Sequence, residues 1–240
     1  MRGIIERMKS RIKVALVILA AGSGTRFGQT TNKVWLSLSG RRIITRSLMN
    51  AAKDFEHRRT ILVINPADEE LAREIIKNET GDIDVEITYG GSSRHESEYN
   101  ALVHLAPQIA SGEIEVVLIH DGARPLATPS LFVEIAEAAF HHGGAIPTVV
   151  VDPHEMDTAR DEIVVRVQTP QGFLAPQLLE AYRRAAADHF VGTDTAACME
   201  KYFPDLTKIS VPADVFNIKI TYPQDLVLAE HVLAVALRED

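Results

Sequence analysis

Residues Val14 to Lys33 read VALVILAAGSGTRFGQTTNK. An apolar run stops at a Gly-rich turn, and two cations, Arg26 and Lys33, follow the turn. The run predicts a buried strand. The turn around Ala20, Ala21, Gly22, Ser23 and Gly24 predicts a loop whose successive backbone N–H groups can hydrogen-bond phosphate oxygens. Glycine lets that backbone approach a phosphate closely. Arg26 adds a planar fork for bidentate contact, and Lys33 adds a mobile point charge. A Gly-x-Gly turn alone is common between strands and helices without any ligand, so the two cations carry the phosphate reading. A dinucleotide fingerprint would need a third glycine where Phe27 stands, and a P-loop would need Gly-Lys-Ser/Thr, which is absent.

Outward from this stretch the chain alternates strand-like and helix-like patterns. Strands are predicted at Val14 to Leu19, Thr60 to Ile64, Asp84 to Tyr89, Glu115 to His120, Ala145 to Val151, Lys208 to Val211 and Phe216 to Ile220. Helices are predicted at Ile43 to Asp54, Asp68 to Asn78, Ser97 to Leu105, Ser130 to His141, Pro176 to Asp188, Thr195 to Tyr202 and Pro223 to Leu237. Thr128-Pro129 marks one helix start, and Thr221 with Gln224 marks the last. Several strands are Val/Ile-rich on both faces, as in a parallel sheet covered on both sides by helices. The expected fold is a doubly wound, mostly parallel α/β sheet in one domain spanning 1–240. Such sheets bind ligands beyond the carboxyl ends of their strands.

Polar residues collect at those ends. Gly90-Gly91-Ser92-Ser93-Arg94-His95-Glu96-Ser97 follows the third predicted strand, and His120-Asp121-Gly122-Ala123-Arg124-Pro125 follows the fourth. The fifth leads to Asp152, Asp157 and Thr158, then to Gln168-Thr169-Pro170-Gln171. Gly192-Thr193-Asp194 opens a helix, and Asn217-Ile218-Lys219 lies on the last predicted strand. Each has a structural alternative, such as a helix cap for Asp121, an N-cap for Thr193-Asp194, or a surface ion pair for Arg124. Their shared location favours a site.

Composition narrows the partners. With 46% hydrophobic and 24% charged residues the chain is globular, and its formal charge of −8 with dispersed Lys and Arg argues against coating nucleic acid. Cys198 is the single cysteine, which excludes an intrachain disulfide and a Cys-based metal site and suits a reducing cytoplasm. Met1 to Lys13 superficially resembles the start of a signal peptide, but cleavage near Ala21 would remove the first strand. It is read as an N-terminal extension, with Met8 as an alternative start. No other apolar run approaches the roughly 20 residues of a membrane span. His141 and His142 fall at a helix end, without metal-ligand spacing.

Together, GSGTR with Lys33, GGSSRHES, IHDGARP, QTPQGF, GTD and NIKITYPQDL resemble the cytidylyltransferases that activate polyol phosphates, the 2-C-methyl-D-erythritol 4-phosphate cytidylyltransferase family with its ribitol 5-phosphate relatives. The resemblance runs from Val14 to Leu237 with the motifs in the family's order. It implies a nucleotidyltransferase (Rossmann-like) fold with a small β arm, usually homodimeric, using CTP and a magnesium ion. By resemblance Arg26, Lys33 and Lys219 are catalytic, and Ala20 to Gly24 cradle phosphates. Gly90, Gly91, Arg94 and Ser97 contribute to the nucleotide site, and Asp121 binds the polyol or helps position magnesium. Arg124, Thr158, Arg166 and Thr193 hold the acceptor. Its phosphate is already ionised at neutral pH, so positioning and charge stabilisation suffice.

The chain departs from the family in three places. Asn32-Lys33-Val34 stands where Pro-Lys-Gln is common. No segment cleanly matches Asp-Thr-Ile-Lys, for which Asp152 or Asp157-Thr158-Ala159-Arg160 could substitute, and the stretch before Gln168, about 150–168, is short for a dimer arm. Glu98-Tyr99-Asn100 replaces small or apolar residues. These changes bear on the acceptor more than on CTP, leaving a pentitol phosphate as runner-up. A nicotinamide dehydrogenase is disfavoured by Phe27 and Ile64-Asn65, and a sugar transferase by the lack of Asp-x-Asp. An inactive nucleotide-binding paralogue is the remaining alternative.

Overall fold

A computed structural model describes residues 10–22, 32–151 and 163–239, with side chains through 235. Strand β1 (Val14–Leu19) is buried on both faces and lies at the centre of an eight-stranded sheet. A short hairpin follows, β2 (Ser37–Leu38) with β3 (Arg41–Arg42), and leads into α1 (Ile43–Ala52). Next come β4 (Arg58–Ile64), α2 (Glu69–Glu79), β5 (Val85–Tyr89), α3 (Arg94–His104), α4 (Ala106–Ala110) and β6 (Val116–Asp121). The chain continues through α5 (Pro129–His142), β7 (Gly144–Val150), β8 (Val165–Val167), β9 (Gln171–Leu174), α6 (Ala175–Ala187), α7 (Thr195–Tyr202), β10 (Lys208–Pro212) and α8 (Pro223–Glu239).

The strand order is β10-β7-β9-β6-β1-β4-β5, with β8 paired to β7. From β1 the chain winds outward through β4 and β5, then returns to place β6 on the other side of β1, parallel to it, with Leu19 opposite Asp121. That reversal is the topological switch point where such sheets open a crevice. Alternation along β1 feeds two cores. Leu16 and Ile18 pack with Leu48 of α1, Ile75 of α2 and Phe132 of α5. Ala15 and Val17 pack with Leu102 of α3, Leu178 and Tyr182 of α6, and Met199 of α7. A smaller cluster of Leu38, Ile43, Ile220 and Ala229 seats α8 against the hairpin.

The doubly wound, mostly parallel sheet expected from the sequence is therefore present, with three corrections. Phe216 to Ile220 is not a strand. Asp214 turns the chain by accepting from the Phe216 N–H at 2.8 Å, and the following residues are tied to the 121–124 loop, with Ile220 N–H donating to Ala123 O at 2.8 Å. The QTPQGF segment, in contrast, carries β9, which inserts antiparallel between β6 and β7. At the last helix start it is Asp225, not Gln224, whose carboxylate accepts from Thr221 and Tyr222 N–H at 2.7 and 2.8 Å. β7 and β8 pair antiparallel from Thr148↔Val167 to Val150↔Val165, giving the β arm its base, while residues 152–162 fall outside the described residues.

Candidate active site

The carboxyl ends of β1 and β6 and the loop after β5 enclose a cavity of about 500 Å³. Ala20, Ala21, Gly22, Lys33, Gly91, Arg94, Ser97, Asp121 and Lys219 line it, nine of the residues singled out in the sequence. Ser23, Gly24 and Arg26 lie outside the described residues, as does Thr158. Ser92, Ser93 and Asn65 also line the cavity.

Lys33 opens a 3-10 turn capped by Asn32. The Asn32 amide is buried, donates to Ala20 O at 2.6 Å and accepts from Val34 N–H at 3.4 Å. It thus pins the residue before Lys33 to the end of β1. Where a proline would fix this turn by its ring, the chain uses an amide staple.

The second loop is held by reciprocal capping of α3. Ser93 Oγ accepts from Glu96 N–H at 3.0 Å, while the Glu96 carboxylate accepts from Ser92 N–H at 2.7 Å and from its hydroxyl at 2.6 Å. Ser97 Oγ donates to Ser93 O at 2.8 Å and accepts from Gly91 N–H at 3.1 Å, so this hydroxyl shapes the loop it faces. Gly90 meets the first loop closely. A Cβ there would lie 2.3 Å from Ala21 Cβ and 2.7 Å from Ser97 Oγ, which leaves room only for glycine.

Asp121 is the electrostatic centre. Lys219 Nζ lies 2.9 Å from its Oδ2, Arg124 Nε 3.5 Å from Oδ2 and Arg94 Nε 3.4 Å from Oδ1. Burial alone would raise the pKa of Asp121, but Arg94, Lys219 and Arg124 outweigh it and hold the carboxyl well below the usual range. Arg94 also faces the Glu98 carboxylate, so three cations stand against two carboxylates and the cluster keeps a net positive charge, which suits an anionic ligand. Burial lowers the pKa of Arg124, whereas for Arg94 the effect of burial is overcome by the Asp121 and Glu98 carboxylates, which raise it.

A buried scaffold holds this cluster. Asp121 N–H donates to Thr169 Oγ1 at 3.0 Å, and Thr169 Oγ1 lies 3.1 Å from His120 Nδ1. His120 Nε2 lies 3.2 Å from Arg124 O. A carbonyl only accepts, so the proton is on Nε2 and Thr169 donates to Nδ1. Burial pushes the His120 pKa down to about 4, which leaves the ring neutral near pH 7. Arg124 donates to Asn217 O at 2.7 Å, and the Asn217 amide donates to Gln168 Oε1 at 2.8 Å and Thr169 O at 3.0 Å. These bonds hold the segment that presents Lys219.

Of the acceptor residues expected from the sequence, Arg124 joins the Asp121 cluster but is almost wholly buried, while Thr193 and Arg166 are exposed outside the cavity lining. Asn32, Thr169, His120, Gln168 and Glu98 form the support that the sequence did not assign. Asn32 and Glu98 had a signal, since both stand at departures from the family pattern.

Among the described residues no group of three or more His, Cys, Asp or Glu could hold a metal, and Asp121 is the single carboxylate lining the cavity. That donor set fits a magnesium ion carried mainly by phosphate oxygens with one protein carboxylate.

A family model described as 2-C-methyl-D-erythritol 4-phosphate cytidylyltransferase matches residues 14–235. The chain is similar to the protein of that name from Bacillus mycoides, with 36% identity over 228 residues covering 92% of this chain and 97% of the relative. The Geobacillus kaustophilus protein of that name is 35% identical over 235 residues, covering 93% and 98%. Among solved structures, the 4-diphosphocytidyl-2C-methyl-D-erythritol synthase of Anaerococcus prevotii matches with TM-score 0.78 at 27% identity, covering 93% of this chain and 96% of that one. The 2-C-methyl-D-erythritol 4-phosphate cytidylyltransferase of Thermus thermophilus matches with TM-score 0.67 at 25% identity, covering 92% and 98%.

Proposed function

The chain belongs to the 2-C-methyl-D-erythritol 4-phosphate cytidylyltransferase family, and we propose on that basis that it transfers CMP from CTP to 2-C-methyl-D-erythritol 4-phosphate and releases pyrophosphate. The observation that carries this reading is the cavity at the β1–β6 switch point, where Lys33, Arg94 and Lys219 converge with one ionised carboxylate.

The chemistry needs no more than such a wall supplies. An acceptor phosphate oxygen attacks the α-phosphorus of CTP in line, the bond from that phosphorus to the β-phosphate bridging oxygen breaks, and pyrophosphate leaves with the electron pair. The attacking oxygen is already ionised, so no general base is called for, and neutral, buried His120 serves as scaffold. Lys33, with Arg26, binds the triphosphate and the charge that grows at the α-phosphorus. Lys219 orients the incoming phosphate beside it. Gly90, Gly91 and Ser97 shape the wall against the cytosine, and Ala20 to Gly24 offer backbone N–H groups to phosphates. Asp121 would hold magnesium together with the triphosphate, and the ion, when bound, neutralises charge on the leaving pyrophosphate. Arg124, Thr158, Arg166 and Thr193 complete the acceptor side. We assign a homodimer joined through the arm that begins at β7 and β8, and a cytoplasmic location. Among the described residues no helix is long and apolar enough to cross a membrane.

The test is pyrophosphate release with CTP, magnesium and, separately, 2-C-methyl-D-erythritol 4-phosphate, ribitol 5-phosphate or glycerol phosphate. A signal with the first acceptor that Lys33→Ala abolishes supports the reading. A signal only with ribitol 5-phosphate reassigns the acceptor, and silence throughout with CTP still bound points to a binding-only protein.

A further inference from the structure

Behind the cavity wall, away from solvent, Arg94 meets a second carboxylate. Arg94 NH2 lies 3.3 Å from Glu98 Oε1 one turn along α3, while its Nε faces Asp121. Both nitrogens are fully buried and neither makes a hydrogen bond among the described residues, so ion pairing with Glu98 and Asp121 is what offsets the burial of this charge. Glu98 has no exposed surface and cannot touch a substrate. Its other contacts come from distant elements: the Tyr182 hydroxyl of α6 donates to Oε2, and the Thr195 hydroxyl of α7 donates to Oε1 at 3.1 Å.

A helix needs no buried carboxylate to pack, and an apolar residue would fill the same position at far lower desolvation cost. A carboxylate retained there under two hydroxyl donors and beside one guanidinium has the geometry of a support that orients the group in front of it. We propose that Glu98 is a positioning residue for the transfer: it grips Arg94 from behind and fixes that fork against the nucleotide triphosphate. Through Thr195 it also ties the nucleotide loop to the start of α7, next to Thr193 and Asp194.

The charged and titratable groups that face Glu98 are Arg94 on α3, Tyr182 on α6, Cys198 on α7 and, beyond Arg94, Asp121 on β6. Burial raises its pKa above the ordinary carboxylate value, opposed by Arg94, Tyr182 and Thr195. Protonation would release Arg94. Activity therefore falls on the acid side with a limb set by Glu98.

The inference rests on the cytidylyltransfer reading, and the experiment separates the two. Calorimetric CTP binding and kcat/KM for CTP are measured against pH for the wild type, Glu98→Gln and Tyr182→Phe, with thermal unfolding alongside. Glu98→Gln keeps the shape but loses the charge and exchanges one acceptor oxygen for an amide donor. The expected result is a folded variant whose kcat/KM for CTP is about tenfold to a hundredfold lower and whose profile lacks the acid limb. Tyr182→Phe removes a bond to the ionised form, so its limb moves to higher pH. An active wild type with an unchanged Glu98→Gln profile, or a limb that Tyr182→Phe leaves in place, overturns the positioning role alone. A wild type that neither binds CTP nor releases pyrophosphate overturns both. If Glu98→Gln does not fold, the Tyr182→Phe limb decides.

Discussion

The side-chain amide of Asn32 donates to the Ala20 carbonyl at 2.6 Å across a gap of twelve residues, so the two ends of the segment proposed to bind phosphate are fastened to each other before any ligand arrives. A ligand then meets a loop whose span is already set, which lowers the ordering cost of binding.

Asn32→Ala should therefore weaken both the fold and the nucleotide site. The Ala20 carbonyl would lose a buried partner, costing about 1–3 kcal/mol of stability. The KM for CTP should rise while the KM for the acceptor stays near its original value. Denaturant unfolding and two-substrate kinetics check this, and an unchanged KM for CTP would remove the staple from the account of binding.

Lys33→Ala and Lys219→Ala should each lower kcat by about 10²- to 10³-fold, by analogy with removal of one group that stabilises developing charge. Because Lys219 is partly exposed, its loss should leave the melting temperature nearly unchanged. Steady-state kinetics with calorimetry distinguishes this from global damage.

Asp121→Asn removes the one anion that faces all three cations, Arg94, Arg124 and Lys219. The expected destabilisation is about 3 kcal/mol, the low end for a broken buried pair, since Lys219 remains hydrated. The folded-state pKa of Asp121 is depressed, so its contribution is fully present above the unfolded value of 3.8 and is lost as pH falls below that towards the folded pKa. The stability gap between wild type and variant should accordingly close in strong acid. A gap that stays constant down to pH about 2 would contradict the assigned ionisation.

His120 titrates in a separate window. Its pKa is about 4 in the folded chain against 6.5 in the ordinary case, so the unfolded chain binds the proton first. Stability from its neutral ring is fully present above 6.5 and is lost as pH falls towards 4, amounting to about 3 kcal/mol over the whole window. Urea titrations at several pH values should show this loss in the wild type and its absence in His120→Gln. Equal slopes in both proteins would exclude His120 as the source.

The sheet was legible because β1, β4, β6 and β7 are apolar runs stopped by glycine, Asn-Pro or charge, and the site was legible because Asp121 and Arg124 stand at such a stop and Lys33 follows the glycine turn after β1. β9 was not, because Gln171-Gly172 begins it and only four residues pair. Phe216 to Ile220 alternates like a strand, yet the hydrogen bonds from Arg124 and Asn217 decide its path, and these depend on partners 93 and 48 residues away. Glu98 on a helix reads as a solvated charge by itself. Its burial is imposed by Tyr182 and Thr195, 84 and 97 residues further along, which no local pattern reveals.

The reversal of winding between β1 and β6 also divides the chain's labour along its length. Of the described residues that line the cavity, all but Ala123 and Lys219 lie at or before Asp121, and on the proposed function the part of the chain before it meets the nucleotide while the part after it meets the group that receives the transfer. A genetic crossover placed at Asp121 would thus graft a new acceptor half onto an intact nucleotide half, provided the Glu98 clasp to Tyr182 and Thr195 is carried across the joint. The switch point is a natural seam for diversification, and that clasp is the stitch any chimaera must preserve.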